Sequence, residues 1–187
     1  MQIATVTISV LAVIFTALGV FLPGWARRND TLLKQAILSL ERAYESLTDK
    51  GQHIAGPRAD RLNWLTAARH IEDYKKIKNM ISFSRSHKLL CEGQEEYWRH
   101  QFYLCLNKPS NLPGGYFEYQ DNGRRNRIQD VSAIIIHDFA EWPQGKADPL
   151  DTVDAVEILE KNPIILKRSI SLNAYLRTLP DWKDKIE

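Results

Sequence analysis

From Ile3 to Pro23 the chain reads IATVTISVLAVIFTALGVFLP, a run without one charged side chain. Coiled as an α-helix this run is about 31 Å long, close to the ~30 Å hydrocarbon thickness of a bilayer. Its hydroxyls (Thr5, Thr7, Ser9 and Thr16) can bond back to the helix's own carbonyls. Trp25 follows at headgroup level, and Arg27 and Arg28 come next. A cleaved secretory signal would carry basic residues before a shorter apolar core, whereas no Lys or Arg precedes this one. An ordinary domain also rarely encloses a helix that is apolar on every side. The run therefore predicts one transmembrane anchor over residues 1–26.

Topology follows from where the cations lie. Only the amino group precedes the run, while Arg27, Arg28 and Lys34 follow it. The expectation is a single-pass protein, N-terminus outside, with residues 27–187 as one cytoplasmic helical domain. Two cysteines, Cys91 and Cys105, are too few for a disulfide scaffold and suit a reducing compartment. The 25 basic and 23 acidic residues nearly cancel, which argues against a general nucleic-acid binder.

The remainder reads as all-α, with five to six helices after the anchor. Asn29 or Asp30 can cap a helix over 31–48, whose stripe is Leu32, Leu33, Ala36, Ile37, Leu40, Ala43, Tyr44 and Leu47. That stripe can pack within the chain or pair with a second copy as a homodimer; intrachain packing is the favoured expectation. Helices are expected over 60–81 (Leu62, Leu65, Ala68, Ile71, Ile77 and Ile81 on one face) and 87–106 (Leu89, Leu90, Tyr97, Phe102, Leu104 and Leu106). On the latter, Glu92, Glu95, Glu96 and Arg99 read as a charged face. Prolines and glycines break the helical pattern near 114–127, where Asn122-Gly123 suits a small β-hairpin and an ordered loop is the alternative. Helical character resumes over 128–142, breaks at 143–147, and returns twice behind Asp148-Pro149 and Asn162-Pro163, prolines placed for a first helical turn.

No catalytic motif stands out, and no metal or cofactor is expected. His87 and Cys91 could share one face of their helix, as could Glu96 and His100. The two pairs lie about 13 Å apart along the axis, too far for one ion. Cys105, flanked by leucines, reads as a small core residue. The acidic residues Glu141, Asp148, Asp151 and Asp154 suit helix capping better than cation binding. Arg124, Arg125 and Arg127 form the densest basic cluster, and guanidinium forks suit phosphate groups. Trp64 with Arg69, and Tyr97 with His100, are large amphipathic residues of the kind that mark a pocket or partner surface.

The function expected on these grounds is protein binding at a membrane surface, as a scaffold, regulator or sensor. The alternative is a tethered enzyme or effector that holds a nucleotide, nucleic acid or anionic lipid on the Arg124–Arg127 loop.

Overall fold

The computed structural model describes residues 2–54, 56–82, 84–107, 115–118, 120–121, 124–125 and 127–183, with backbone alone at 2–23, 120–121, 124–125, 181 and 183. The chain is all-α. It divides into two compact units, Met1–Trp142 and Pro143–Glu187, meeting in the loop expected after Trp142.

In the first unit, α1 runs unbroken from Gln2 to Leu47, about 69 Å at 1.5 Å per residue. The break anticipated before Thr31 is absent, because Asn29 and Asp30 work inside the fold. Asn29 is buried and donates from Nδ2 to the Ser82 carbonyl at 3.1 Å; Asp30 reaches His87. Among the described residues no helix is long and apolar enough to cross a membrane. The charge-free run 3–23 has no described side chains, so the expected span lies outside that statement.

Beyond residue 24, α1 is the first wall of a four-helix arrangement with α2 (Arg61–Met80), α3 (Arg85–Leu106) and α4 (Asp130–Ala140). In cross-section the order is α1, α2, α4, α3, each helix packing on its two neighbours. The chain leaves α1 through Asp49, Lys50 and Gly51, three successive left-handed residues with φ of 51°, 56° and 83°. A glycine takes that conformation without strain. Asp60 caps α2, its carboxylate accepting from the backbone of Leu62 and Asn63, and Ser84 caps α3.

The core gathers Ala36, Leu40, Ala43 and Leu47 of α1, Trp64, Ala67, Ile71 and Tyr74 of α2, Phe102 of α3, and Ile136 and Phe139 of α4. The α1 stripe thus turns inward on its own bundle, the favoured of its two expected uses. The expected face of α2 holds through Ala68, Ile71 and Ile81, with Leu62 outside it and Trp64 and Tyr74 added, whereas that of α3 needs rotating. Leu62, Leu89, Leu90 and Leu104 are exposed, whereas Trp64, Tyr74, Cys91 and Arg99 are buried. Helical phase explains this: Cys91, Glu95, Trp98, Phe102 and Cys105 recur every three or four residues, and the leucines fall on the opposite side.

Between α3 and α4 a short 3-10 turn, Tyr116–Glu118, leads to the antiparallel pairs Gln120 with Arg125 and Asp121 with Arg124. This two-residue ladder stands in the expected hairpin region; Asn122-Gly123 itself lies outside the described residues.

The second unit is a string of short helices with no buried residue among those described. Asp148 and Pro149 open a 3-10 turn, Pro149–Thr152, rather than a long helix, and Asp154 then caps α5 (Ala155–Lys161). Extended Val153 separates the two. The last expected helix is interrupted at Ser169, giving α6 (Ile164–Arg168) and α7 (Ile170–Thr178), with α8 (Pro180–Lys183) following. Serine competes with the helix backbone through its own hydroxyl, so it is a natural point of departure.

Candidate functional site

A groove of about 350 Å³ opens between α2 and α4. On α2 it is lined by Leu65, Ala68, Arg69, Glu72, Asp73 and Lys76, a single stripe at three- and four-residue spacing. From the α4 side come Gln129, Val131, Ser132 and Ile135. Its floor is apolar and its rim carries both signs of charge. Three rim residues are partly committed: Lys75 meets Glu72 at 3.0 Å and Asp138 of α4 at 3.7 Å, and Lys76 meets Asp73 at 3.3 Å. Arg69 meets no carboxylate among the described residues. Val131, on the groove wall, and Ile134, a turn farther along α4, are both exposed.

A second constellation is buried between α2, α3 and α4. Glu95 accepts from Tyr74 Oη at 2.5 Å, from Arg99 Nη2 at 2.6 Å and from Lys78 Nζ. Burial alone would raise its carboxyl pKa, but the Lys78 and Tyr74 hydrogen bonds and the Lys78 and Arg99 charges outweigh it. Glu95 is therefore held below the usual carboxylate range. Arg99 Nη1 donates to the carbonyls of Phe139 at 2.5 Å and Glu141 at 2.6 Å, tying α3 to the end of α4. Its guanidinium also lies 5.1 Å from the Phe139 ring centroid. A carboxylate with three donors is an acceptor already satisfied, a poor general base. Cys91 touches Tyr74 Oη at 3.7 Å, and burial pushes its thiol pKa up, which keeps it unreactive. The cluster is a clamp.

Trp64 heads an aromatic group at the other end of α2. Its indole stacks 6.1 Å from His137 and meets Tyr116 and Phe117 edge-on. Trp64 Nε1 donates to the Arg58 carbonyl, and Tyr116 Oη donates to that of Pro57 at 2.7 Å. Burial lifts the Tyr116 pKa to about 12, the Trp64 hydrogen bond partly opposing it. Burial also lowers the His137 pKa, with Glu141 partly opposing.

At the junction of α1 and α3, His87 Nε2 meets Asp30 Oδ1 at 2.8 Å and Nδ1 meets Ser84 Oγ at 2.5 Å. A carboxylate, an imidazole and a serine in sequence invite comparison with a hydrolytic triad. Ser84, however, is the cap of the helix on which His87 is the third residue, and its oxygen also faces the His87 N–H at 3.4 Å. The serine oxygen is thus the side-chain cap of α3 and is engaged in helix initiation, with the His87 imidazole bonded to that same oxygen. His87 thus points to Asp30 while Cys91 faces the core, and the two share no metal site. Among the described residues no group of three or more metal-ligating side chains occurs.

The residues singled out in the sequence do not meet in one cavity. Trp64 is buried in the aromatic group, Arg69 lines the groove, and Tyr97 and His100 lie exposed on α3. Tyr97 packs edge-on against Trp98, which in turn lies against Tyr44. Arg127 is exposed; Arg124 and Arg125 sit on the short ladder with side chains outside the described set. The sequence reading missed Glu95 as the hub of the clamp. Its available signal was the four-residue spacing from Arg99, the spacing of a helical ion pair. No protein-family model matches the chain, and no similar protein is found among curated proteins or solved structures.

Proposed function

We propose that this chain is a single-pass membrane protein whose helical bundle binds a protein partner at the membrane surface, as a scaffold, regulator or sensor. The observation that carries the binding reading is the α2–α4 groove: an apolar floor open to solvent, rimmed by both signs of charge, with Val131 and Ile134 exposed on α4. An amphipathic helix from a partner suits such a groove, its apolar side on Leu65, Ala68 and Ile135 and its charges against Arg69 and Asp73. The anchor reading is supported by the charge-free run 3–23 and by Arg27 and Arg28 after it, which favour an outside N-terminus and a cytoplasmic bundle. A phosphate-bearing ligand on Arg124, Arg125 and Arg127 draws less support, since Trp64 and Tyr116 spend their rings inside the aromatic group rather than facing a base.

The test is affinity capture from detergent-solubilised membranes with full-length protein and with a Val131→Asp, Ile134→Asp variant. A stoichiometric partner retained by the first and lost by the second is the expected result. Equal recovery by both would remove the groove from the account.

A further inference from the structure

One exposed stripe of α3, flanked by Arg85, Lys88 and Glu92, itself carries no Asp, Glu, Lys or Arg over about five turns: Ser86, Leu89, Leu90, Gly93, Tyr97, His100 and Leu104. In a chain that is 26% charged, an exposed stripe of this length would ordinarily include a charge. Leu90, Tyr97 and Leu104 recur every seven residues and are 60%, 53% and 44% exposed. A seven-residue apolar repeat keeps one stripe facing a partner helix that has the same repeat.

Gly93 lies in the middle of this face. A glycine inside a helix is destabilising relative to alanine, so it calls for a reason. The chain's own fold supplies none: a Cβ at Gly93 would meet nothing within 4 Å. What a missing Cβ does provide is room for another backbone to come close.

We infer that this face is a parallel self-association seam, Leu90, Tyr97 and Leu104 each meeting their counterparts in a second copy across Gly93. Direction supports that occupant. α3 runs parallel to α1, because Asp30 meets His87 at one end while Tyr44 meets Phe102, ring centroids 5.5 Å apart, farther along. Two copies with their α1 helices in one membrane therefore present their α3 helices side by side, in the same direction and in register. This part rests on the anchor reading. Charge does not oppose the pairing, since the residue flanking Tyr97 on the Glu96 side would face Gln101 of the other copy. The seam offers fewer residues than the ~20–30 per side of a standard interface. Association is accordingly weak in dilute solution and strengthened where copies are confined together.

The experiment is oxidative cross-linking of the full-length chain in native membranes with Gly93→Cys, beside Glu41→Cys on the polar outer side of α1. Facing cysteines at a parallel seam fall within the ~4.4–6.8 Å Cα separation that a disulfide needs. Gly93→Cys is expected to give a disulfide-linked dimer at least tenfold more readily than Glu41→Cys or the unaltered chain, whose cysteines are buried. Adding Tyr97→Glu, or separately Leu104→Glu, should return the yield to background with unchanged helical circular dichroism. A Gly93→Cys yield no higher than Glu41→Cys, a yield indifferent to both glutamates, or cross-linking to a different protein would each overturn the seam. Alkaline extraction of the same samples separates the two readings: a dimer in the soluble fraction keeps the seam and removes the anchor. A membrane-embedded monomer does the reverse.

Discussion

Replacing Arg99 by methionine tests the clamp most directly. The side chain is 9% exposed, so solvent screens its interactions weakly. Substitution removes the ion pair to Glu95 and leaves the carbonyls of Phe139 and Glu141 without their donor. Breaking a buried pair by removing one partner costs about 3–5 kcal/mol. Tyr74 and Lys78 still hold Glu95 in the variant, so the lower end, about 3 kcal/mol, is the appropriate figure. For a domain of this size that lowers Tm by roughly 6–12 °C. The control is the exposed pair Lys161–Glu157, 70% and 57% exposed, where Glu157→Ala should cost no more than about 0.5 kcal/mol. Thermal and urea unfolding of the detergent-solubilised chain, followed by tryptophan fluorescence, gives both numbers, with Trp64 as a buried reporter. An Arg99→Met midpoint within 2 °C of that control, on the roughly 2–4 °C per kcal/mol scale, would refute the clamp.

His137 supplies a pH signature. Its pKa is lowered in the fold, so the unfolded chain binds the extra proton, and stability present above about pH 6.5 is lost as pH falls below it. Tm should therefore drop further between pH 7.5 and 5.5 in the natural chain than in His137→Phe, and parallel curves would remove that contribution. Asp60→Ala deletes the cap of α2 and should cost about 1 kcal/mol, read as a shift in urea midpoint at constant slope.

How far the sequence led depended on how local each determinant was. The α1 stripe, the α2 cap at Asp60 and the all-α class come from periodicity and short-range capping, which one chain displays openly. The face of α3 and the edge of that of α2 were harder, because Leu62, Leu89, Leu90 and Leu104 look like core by hydrophobicity alone. What buries Trp64 and Arg99 instead is partnership with Tyr116 and with the end of α4, tens of residues away. The same non-locality hid the site. Arg69 belongs to a groove whose other wall is Gln129 to Ile135, and no spacing within α2 announces that. Tyr97 and His100 were legible as surface residues of interest; the phase that sets them opposite the core was not.

Because α1 is continuous from Gln2 to Leu47, the apolar run and the bundle share one helical phase. Each residue added to a helix turns the downstream chain by about 100° and advances it by about 1.5 Å. A single alanine inserted after Arg28 would thus rotate the bundle nearly a third of a turn about the apolar segment. Seven inserted residues would restore its azimuth to within roughly 20° while lifting it by about 10 Å. The length of this one helix acts as a combined spacer and dial, fixing both the height of the bundle and the compass direction its faces take.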